Sequence, residues 1–97
     1  MKTLQILVIG RVQGVGFRAC VRWIASDMNI RGTVMNLPDG KVQIYATGEP
    51  IILEKFVSML YGCPRAQVRD IRSSEHSVQL YEDFSIIKND KSLSSGL

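Results

Sequence analysis

The apolar residues of this chain change their spacing abruptly across residues 10–16, and this change constrains the fold more than any other feature. Residues 3–9 read TLQILVI, a run of branched apolar side chains that is typical of a buried strand. From Phe17 the apolar residues recur every three or four positions, as in an amphipathic helix that Asn29 is suited to end. The helical stripe consists of Phe17, Cys20, Val21, Ile24, Ala25 and Met28. A strand must therefore give way to a helix through a short, glycine-rich connection.

A tight turn at residues 37–40 predicts a hairpin in the middle of the chain. Its sequence is LPDG, in which proline presets φ at the second position and glycine suits the fourth. The flanking stretches TVMN and KVQIYAT have the composition of strands. Pro50 then fits the first turn of a second helix, which Gly62 and Pro64 end. The buried face of that helix is predicted to consist of Leu53, Phe56, Val57 and Leu60.

Two more strands are predicted at residues 66–73 and around residues 84–87, separated by a polar loop. The resulting order is strand, helix, strand, strand, helix, strand, with one strand added at the end. The economical closure is an α+β fold of the ferredoxin-like, split βαβ type, a sandwich in which two helices cover one face of an antiparallel sheet of four to five strands. In that arrangement the first and third strands are neighbours, so the hairpin can approach the glycine-rich connection. We expect one domain over residues 1–90 and a polar C-terminal tail over residues 91–97.

Composition and charge limit the classes of function. The chain has 97 residues, of which 45% are hydrophobic and 22% charged, as is ordinary for a soluble domain. No apolar run approaches the ~18 residues of a membrane span and no signal peptide is recognisable, so we expect a cytoplasmic protein without a membrane partner. We also expect a monomer. The net charge of +3 is concentrated in residues 1–31, where Lys and Arg residues face only Asp27. Because this excess suits a small anion better than a long nucleic-acid track, we expect no nucleic-acid partner.

The chain has few cysteine and histidine residues, which often act as nucleophiles, acid–base groups or metal ligands. Cys20 and Cys63 make neither a disulfide framework nor a metal-ligand cluster, so we expect two reduced, partly buried thiols. The single histidine, His76, lies in the predicted polar loop, where we expect it to be solvated. Trp23 and Tyr45 are expected to be packing residues. We expect no metal site and no cofactor.

The stretch GRVQGVGFR, residues 10–18, combines several features that bind anions. Glycines let successive backbone amides point into one concavity, and the amides that begin a helix are unpaired and lie at the positive end of its dipole. Arg18, in the first helical turn, adds a forked and permanently charged donor that matches phosphate oxygens. The spacing fits neither of the common nucleotide-binding loops. The residues alone leave two readings open, a plain tight turn and a site for a phosphate-sized anion.

Residues 10–18 also resemble the first signature of the acylphosphatase family. The family's second signature is similar to the segment that begins GTVMN at residue 32, continues with GKV at residue 40 and ends at Gly48. The closing DFSII loosely resembles the family's last strand, so the likeness covers about residues 3–88. The resemblance implies a ferredoxin-like sandwich and a hydrolase that cleaves acyl phosphates to a carboxylate and inorganic phosphate.

Matching positions imply which residues carry this chemistry. Arg18 corresponds to the family's phosphate-binding arginine, and Asn36 to the asparagine that positions the attacking water. The chain departs from the family pattern at Thr33, where an aromatic residue is usual, and at Asp83, where a glycine is common. Neither departure falls on a residue to which the resemblance assigns catalysis. The backbone phosphate cradle corresponds to Gln13, Gly14, Val15, Gly16 and Phe17.

Two other functions are compatible with this fold class. A non-catalytic regulatory domain could use the glycine-rich loop only to sense phosphate, although such a domain would not need the water-positioning amide of Asn36. An RNA-binding module would place paired aromatic residues on its central strands, whereas KVQIYATG offers only Tyr45. The acyl phosphate hydrolase is therefore the leading hypothesis. In it, Arg22 is expected to be a solvated charge one turn beyond Arg18.

Overall fold

Five strands and two helices follow one another in the order that the hydrophobic pattern predicts. The computed structural model describes residues 1–88, so the predicted polar tail over residues 91–97 lies outside the described residues. The strands and helices are β1 (Lys2–Arg11), α1 (Phe17–Asp27), β2 (Arg31–Asn36), β3 (Val42–Gly48), α2 (Pro50–Leu60), β4 (Gln67–His76) and β5 (Phe84–Ile87). Asn29 has a φ of 60°, which confirms it as the left-handed residue that follows the first helix.

The strands form one sheet in the order β4-β1-β3-β2-β5. The pairs β1/β3, β1/β4 and β2/β3 are antiparallel, whereas β2 and β5 are parallel. The ferredoxin-like α+β class is thus confirmed, with the correction that the fifth strand makes the sheet mixed instead of antiparallel throughout. The reason is that β4 and β5 lie at opposite edges, so the chain between them crosses the whole sheet before β5 begins.

The crossing segment is held by a small buried hydrogen-bond cluster. The amide of Gln79 donates to Thr3 Oγ1 at 2.9 Å, and Thr47 Oγ1 donates to the carbonyl of Gln79 at 2.7 Å. Thr3 and Thr47 are 0% and 4% exposed and also share a hydrogen bond of 2.6 Å between their hydroxyls. This cluster satisfies polar groups that the crossing would otherwise leave buried without partners.

The strand directions place the carboxyl ends of three strands at the same end of the sheet. Because β1 and β2 are both antiparallel to β3, they run in the same direction, and β5 runs with them. The carboxyl ends of all three strands therefore lie at one end of the sheet, where α1 also begins. The glycine-rich connection, Asn36 and the end of β5 are brought together by topology alone.

The two helices contact each other, with α1 packed on β2 and β5 and α2 packed on β3. The predicted stripes supply the buried residues, since Phe17, Val21, Ile24 and Ala25 of α1 are buried. Leu53, Phe56 and Leu60 of α2 are buried in the same way. No helix within residues 1–88 is both long enough and apolar enough to traverse a bilayer.

Cys20 and Cys63 form a disulfide, so the prediction of two reduced thiols is wrong. Cys20 lies on α1 and Cys63 follows the end of α2, and packing of the two helices brings their Cα atoms to 6.1 Å. That distance is within the usual range for a bridged pair. The bond ties the helix that carries Arg18 to the other helix of the layer.

Reduction of the disulfide is expected to lower the free energy of unfolding by about 2–4 kcal/mol, because the bridge closes a loop across 43 residues and restricts the unfolded chain. The measurement is urea unfolding with and without a phosphine reductant. The control is the Cys20→Ser/Cys63→Ser double variant, whose stability should equal that of the reduced protein and should not respond to reductant. Equal stability of the oxidised and reduced wild type would contradict the prediction.

Two smaller predictions are also wrong. His76 does not lie in a solvated loop: β4 continues to this residue, and its half-buried ring contacts that of Tyr45 edge-on, with centroids 5.1 Å apart. Tyr45 is a packing residue as expected and accepts a hydrogen bond from Gln5 Nε2 at 2.9 Å. Trp23 is not, since 69% of it is exposed on the outer face of α1.

Candidate functional site

The connection between β1 and α1 adopts a conformation that depends on two glycines. Gly14 and Gly16 have φ of 75° and 77°, in the left-handed region that other residues rarely adopt. A Cβ added at either position would meet nothing within 4 Å. The backbone conformation therefore requires these glycines, and open space remains beside the loop.

The first turn of α1 is left without any capping side chain. Gly16 is the N-cap residue, no side chain bonds to the helix start, and the first turn has no acidic residue. The first amides of a helix have no partner within it and lie at the positive end of the dipole. Among the turn and loop backbone bonds of residues 1–88, none has a donor amide within residues 13–17. The helix start is thus available to an anion from outside the chain.

A cavity of 190 Å³ lies against this helix start. It can hold a group several times the size of a water molecule, which occupies about 30 Å³ in the liquid. Two cationic side chains, Arg18 and Lys88, line it. Neither forms a salt bridge with any residue of the described range 1–88. The remaining lining residues are Val12, Gly14, Gly16, Phe17, Ala19 and Ile86.

Lys88 is a site residue that the sequence did not reveal. It follows β5 directly, and β5 runs parallel to β2 with Ile87 opposite Met35. A lysine after the last strand looks like ordinary surface charge until the parallel pairing is known. The parallel pairing brings Lys88 to the end of the sheet at which α1 and Arg18 begin.

Asn36 is the last residue of β2, immediately before the predicted turn. The turn is confirmed by the bond from the Gly40 amide to the Leu37 carbonyl at 3.1 Å. The side chain of Asn36 is half-buried. The residue lies at the same end of the sheet as the cavity but does not line it. The structure therefore gathers Arg18, Gly14, Gly16 and Phe17 around one cavity, with Asn36 beside it on the neighbouring hairpin.

The side chain of Gln13 joins the loop to that hairpin. Its Nε2 donates to the carbonyls of Leu37 and Lys41, each at 2.8 Å. The same two residues close the turn, since the Leu37 amide donates to the Lys41 carbonyl at 2.9 Å. Sequence reasoning assigned Gln13 only a backbone role, because nothing local shows that its amide group reaches residues 24 and 28 positions away.

Replacing Gln13 with methionine is expected to lower the free energy of unfolding by about 1–3 kcal/mol, because methionine keeps the length but loses two hydrogen bonds of about 0.5–1.5 kcal/mol each. Both carbonyls keep the bond that each accepts within the turn. Turnover should fall about ten- to a hundredfold, since small displacements of positioned groups are costly. Thermal unfolding and phosphate-release assays measure the two effects. Gln5→Met is the matched control: it loses a part-buried bond on β1, away from the loop, and should keep its activity. Loss of activity in both variants alike would contradict a local role for Gln13.

The charges of the hairpin turn are largely paired with each other. Lys41 Nζ donates to Asp39 Oδ2 at 2.7 Å, and the Lys41 amide donates to Asp39 Oδ1 at 3.0 Å. The side-chain bond from Lys41 is the main reason that the pKa of Asp39 lies below its usual range. The carboxylate beside the site is therefore ionised and already occupied. Across residues 1–88, no group of three or more His, Cys, Asp or Glu is placed to hold a metal ion.

The two departures from the family pattern have simple structural settings. Thr33 is half-buried on β2 and pairs with Tyr45 of β3. An aromatic side chain is therefore present on the strand next to the position where the family usually has one. Asp83 is exposed, and its carbonyl accepts a bond from the Gly32 amide at 2.9 Å. Since that contact uses the backbone, the side chain at position 83 is free to vary.

A family model, curated relatives and solved structures match this chain over most of its length. The family model described as acylphosphatase matches residues 4–86. An acylphosphatase of Archaeoglobus fulgidus is 46% identical over 87 residues, which cover 89% of this chain and 98% of that relative. The crystal structure of acylphosphatase from Bacillus subtilis superposes with a TM-score of 0.87 at 39% identity, covering 91% of this chain and 100% of the other. Full-length HypF in the phosphate- and nucleotide-bound form matches with a TM-score of 0.79 at 32% identity, over 90% of this chain but only 12% of that one.

Proposed function

Because the chain belongs to the acylphosphatase family and is a hydrolase of acid anhydrides, we propose that it cleaves the carboxyl–phosphate bond of acyl phosphates through the cavity at the start of α1. The products are a carboxylate and inorganic phosphate. The single observation that carries this proposal is the convergence of unpaired helix-start amides, Arg18 and Lys88 on one cavity of 190 Å³.

The phosphoryl group of the substrate binds in this cavity. Backbone amides of residues 13–17 donate to its oxygens, and the guanidinium of Arg18 donates bidentately to two of them. Lys88 adds a second positive charge on the β5 side. These donors stabilise the negative charge that spreads over the phosphoryl oxygens in the transition state.

Asn36 positions the attacking water from the hairpin. Its side-chain amide group forms a hydrogen bond with the water, and the Gln13 amide group fixes the distance between hairpin and loop. The water oxygen forms a bond to phosphorus as the bond to the acyl oxygen breaks, and the electron pair of that bond leaves with the carboxylate. A proton of the water passes to a phosphate oxygen.

The leaving group explains why no general acid is assigned. A carboxylate has a pKa of about 4, so it departs as an anion without receiving a proton. Most hydrolases need an activated nucleophile or an acid–base pair. Here positioning of the water and stabilisation of charge carry the reaction, as in phosphoryl transfer generally.

Phosphate release from benzoyl phosphate, measured against the uncatalysed rate, tests the proposal. The wild type should hydrolyse benzoyl phosphate and should leave p-nitrophenyl phosphate, an ester with a poorer leaving group, unhydrolysed. A folded protein that binds phosphate but hydrolyses neither compound would instead support the phosphate-sensing alternative.

A further inference from the structure

A second, larger cavity lies along α1 beside the cavity at the helix start, which we call the phosphate cavity. This second cavity measures 440 Å³ and is lined by Ala19, Arg22, Trp23, Ser26 and Ile86. Ala19 and Ile86 line both cavities, which places the two side by side. The helical residues recur at the spacing of one helix face, so the second cavity runs along α1 away from its N-terminus, beside β5.

The lining of the second cavity combines an apolar surface with one cation. Trp23 is 69% exposed and Ile86 is half-buried, so together they present apolar surface to solvent. Arg22 is exposed and makes no salt bridge with any other residue of the range 1–88. It lies one helical turn beyond Arg18, where Cβ atoms are about 5–6 Å apart.

We propose that the second cavity is the acyl subsite, in which Trp23 and Ile86 contact the acyl group and Arg22 binds a second anionic group at its far end. This inference rests on the proposed function, because it needs the phosphoryl group to lie against Arg18. The preferred substrates are acyl phosphates whose acyl group carries a carboxylate or phosphate about one helical turn, 5–6 Å, from the reacting end. In this proposal, the exposed surface of Trp23 is covered by an apolar part of the bound substrate. Arg22, which forms no salt bridge within residues 1–88, pairs with the anionic group of that substrate.

Three rigid substrates test the proposal, and two of them are nearly equal in size. They are benzoyl phosphate, 4-carboxybenzoyl phosphate and 4-carbamoylbenzoyl phosphate, of which the last is a neutral match for the carboxylate. In the wild type, kcat/KM should be about three- to fivefold higher for the 4-carboxy than for the 4-carbamoyl compound, as an exposed ion pair allows. That ratio should fall towards one at high salt and in Arg22→Gln.

Controls separate a local effect of Arg22 from a general loss of charge. Arg31→Gln also removes an exposed charge, but from the start of β2, at the opposite end of the strands, and should keep the wild-type ratio. Trp23→Ala should lower kcat/KM for benzoyl phosphate more than for acetyl phosphate, which has no aromatic group to contact. Both variants retain the disulfide and the core.

The outcomes distinguish this inference from the function on which it rests. If the wild type hydrolyses the 4-carboxy and 4-carbamoyl compounds equally well, the acyl subsite is wrong and the proposed function stands. An unchanged ratio in Arg22→Gln would likewise assign the selectivity elsewhere and overturn the role of Arg22. If no acyl phosphate is hydrolysed at all, both proposals fail together.

Discussion

Arg18→Ala is expected to lower kcat/KM for benzoyl phosphate by about 10³- to 10⁵-fold, the range that a transition-state arginine contributes in related phosphoryl transfers. The side chain of Arg18 lines the cavity at the start of α1 and forms no salt bridge within residues 1–88. Arg18→Lys should not restore the activity, because lysine keeps the charge but loses the planar pair of donors. Steady-state assays of phosphate release measure both variants.

The fold should tolerate the loss of Arg18. Its side chain is half-buried at the rim of the cavity and outside the hydrophobic core, so the circular dichroism spectrum and the unfolding midpoint should stay close to those of the wild type. Arg31→Ala removes an arginine from the start of β2, at the opposite end of the strands from the cavity, and should keep full activity. An active Arg18→Ala variant, or an equal loss in both variants, would place the transition-state charge elsewhere.

Asn36→Ala is expected to lower kcat for benzoyl phosphate by about 10²- to 10³-fold, in line with the removal of one positioned polar group from an active site. Its KM should change little, because the groups proposed to bind the phosphoryl group, namely the loop amides, Arg18 and Lys88, are all retained. Inhibition by inorganic phosphate should persist for the same reason. The measurements are kcat, KM and the inhibition constant of phosphate for the wild type and the variant.

Asn36→Asp refines this test. Aspartate keeps the size, but its negative charge repels the phosphoryl group bound in a cavity whose lining within residues 1–88 includes no acidic residue. We expect this variant to lose phosphate affinity as well as kcat, unlike Asn36→Ala. Full activity in Asn36→Ala would show that the water is positioned by another group.

The sequence predicts those elements of the fold that local residue patterns determine. The stripe that begins at Phe17, the turn at residues 37–40 and the proline at position 50 each identify an element without reference to the rest of the chain. The parallel pairing of β5 with β2 is not a local property, since it depends on residues 77–83 crossing the sheet. The disulfide is a similar case, because Cys20 and Cys63 meet only after the two helices have packed.

The candidate site divides in the same way. Arg18 and the glycines of the loop lie within one short stretch, which by itself suggests an anion site but is also compatible with a plain tight turn. Asn36 carries no local signal beyond its place before a turn, and its role came from the family resemblance. Lys88 and the side chain of Gln13 become site residues only through long-range pairing, which the sequence pattern does not encode.

Titration of the ¹⁵N-labelled protein with inorganic phosphate, followed by two-dimensional NMR, tests most directly whether the loop and Arg18 surround one anion. We expect the amides of residues 13–17 and the Arg18 side-chain Nε to shift together along a single binding curve, and to stop responding in Arg18→Ala. Phosphate-induced shifts centred on another basic surface, such as Arg69 and Arg72 of β4, with the loop amides unmoved, would contradict this site.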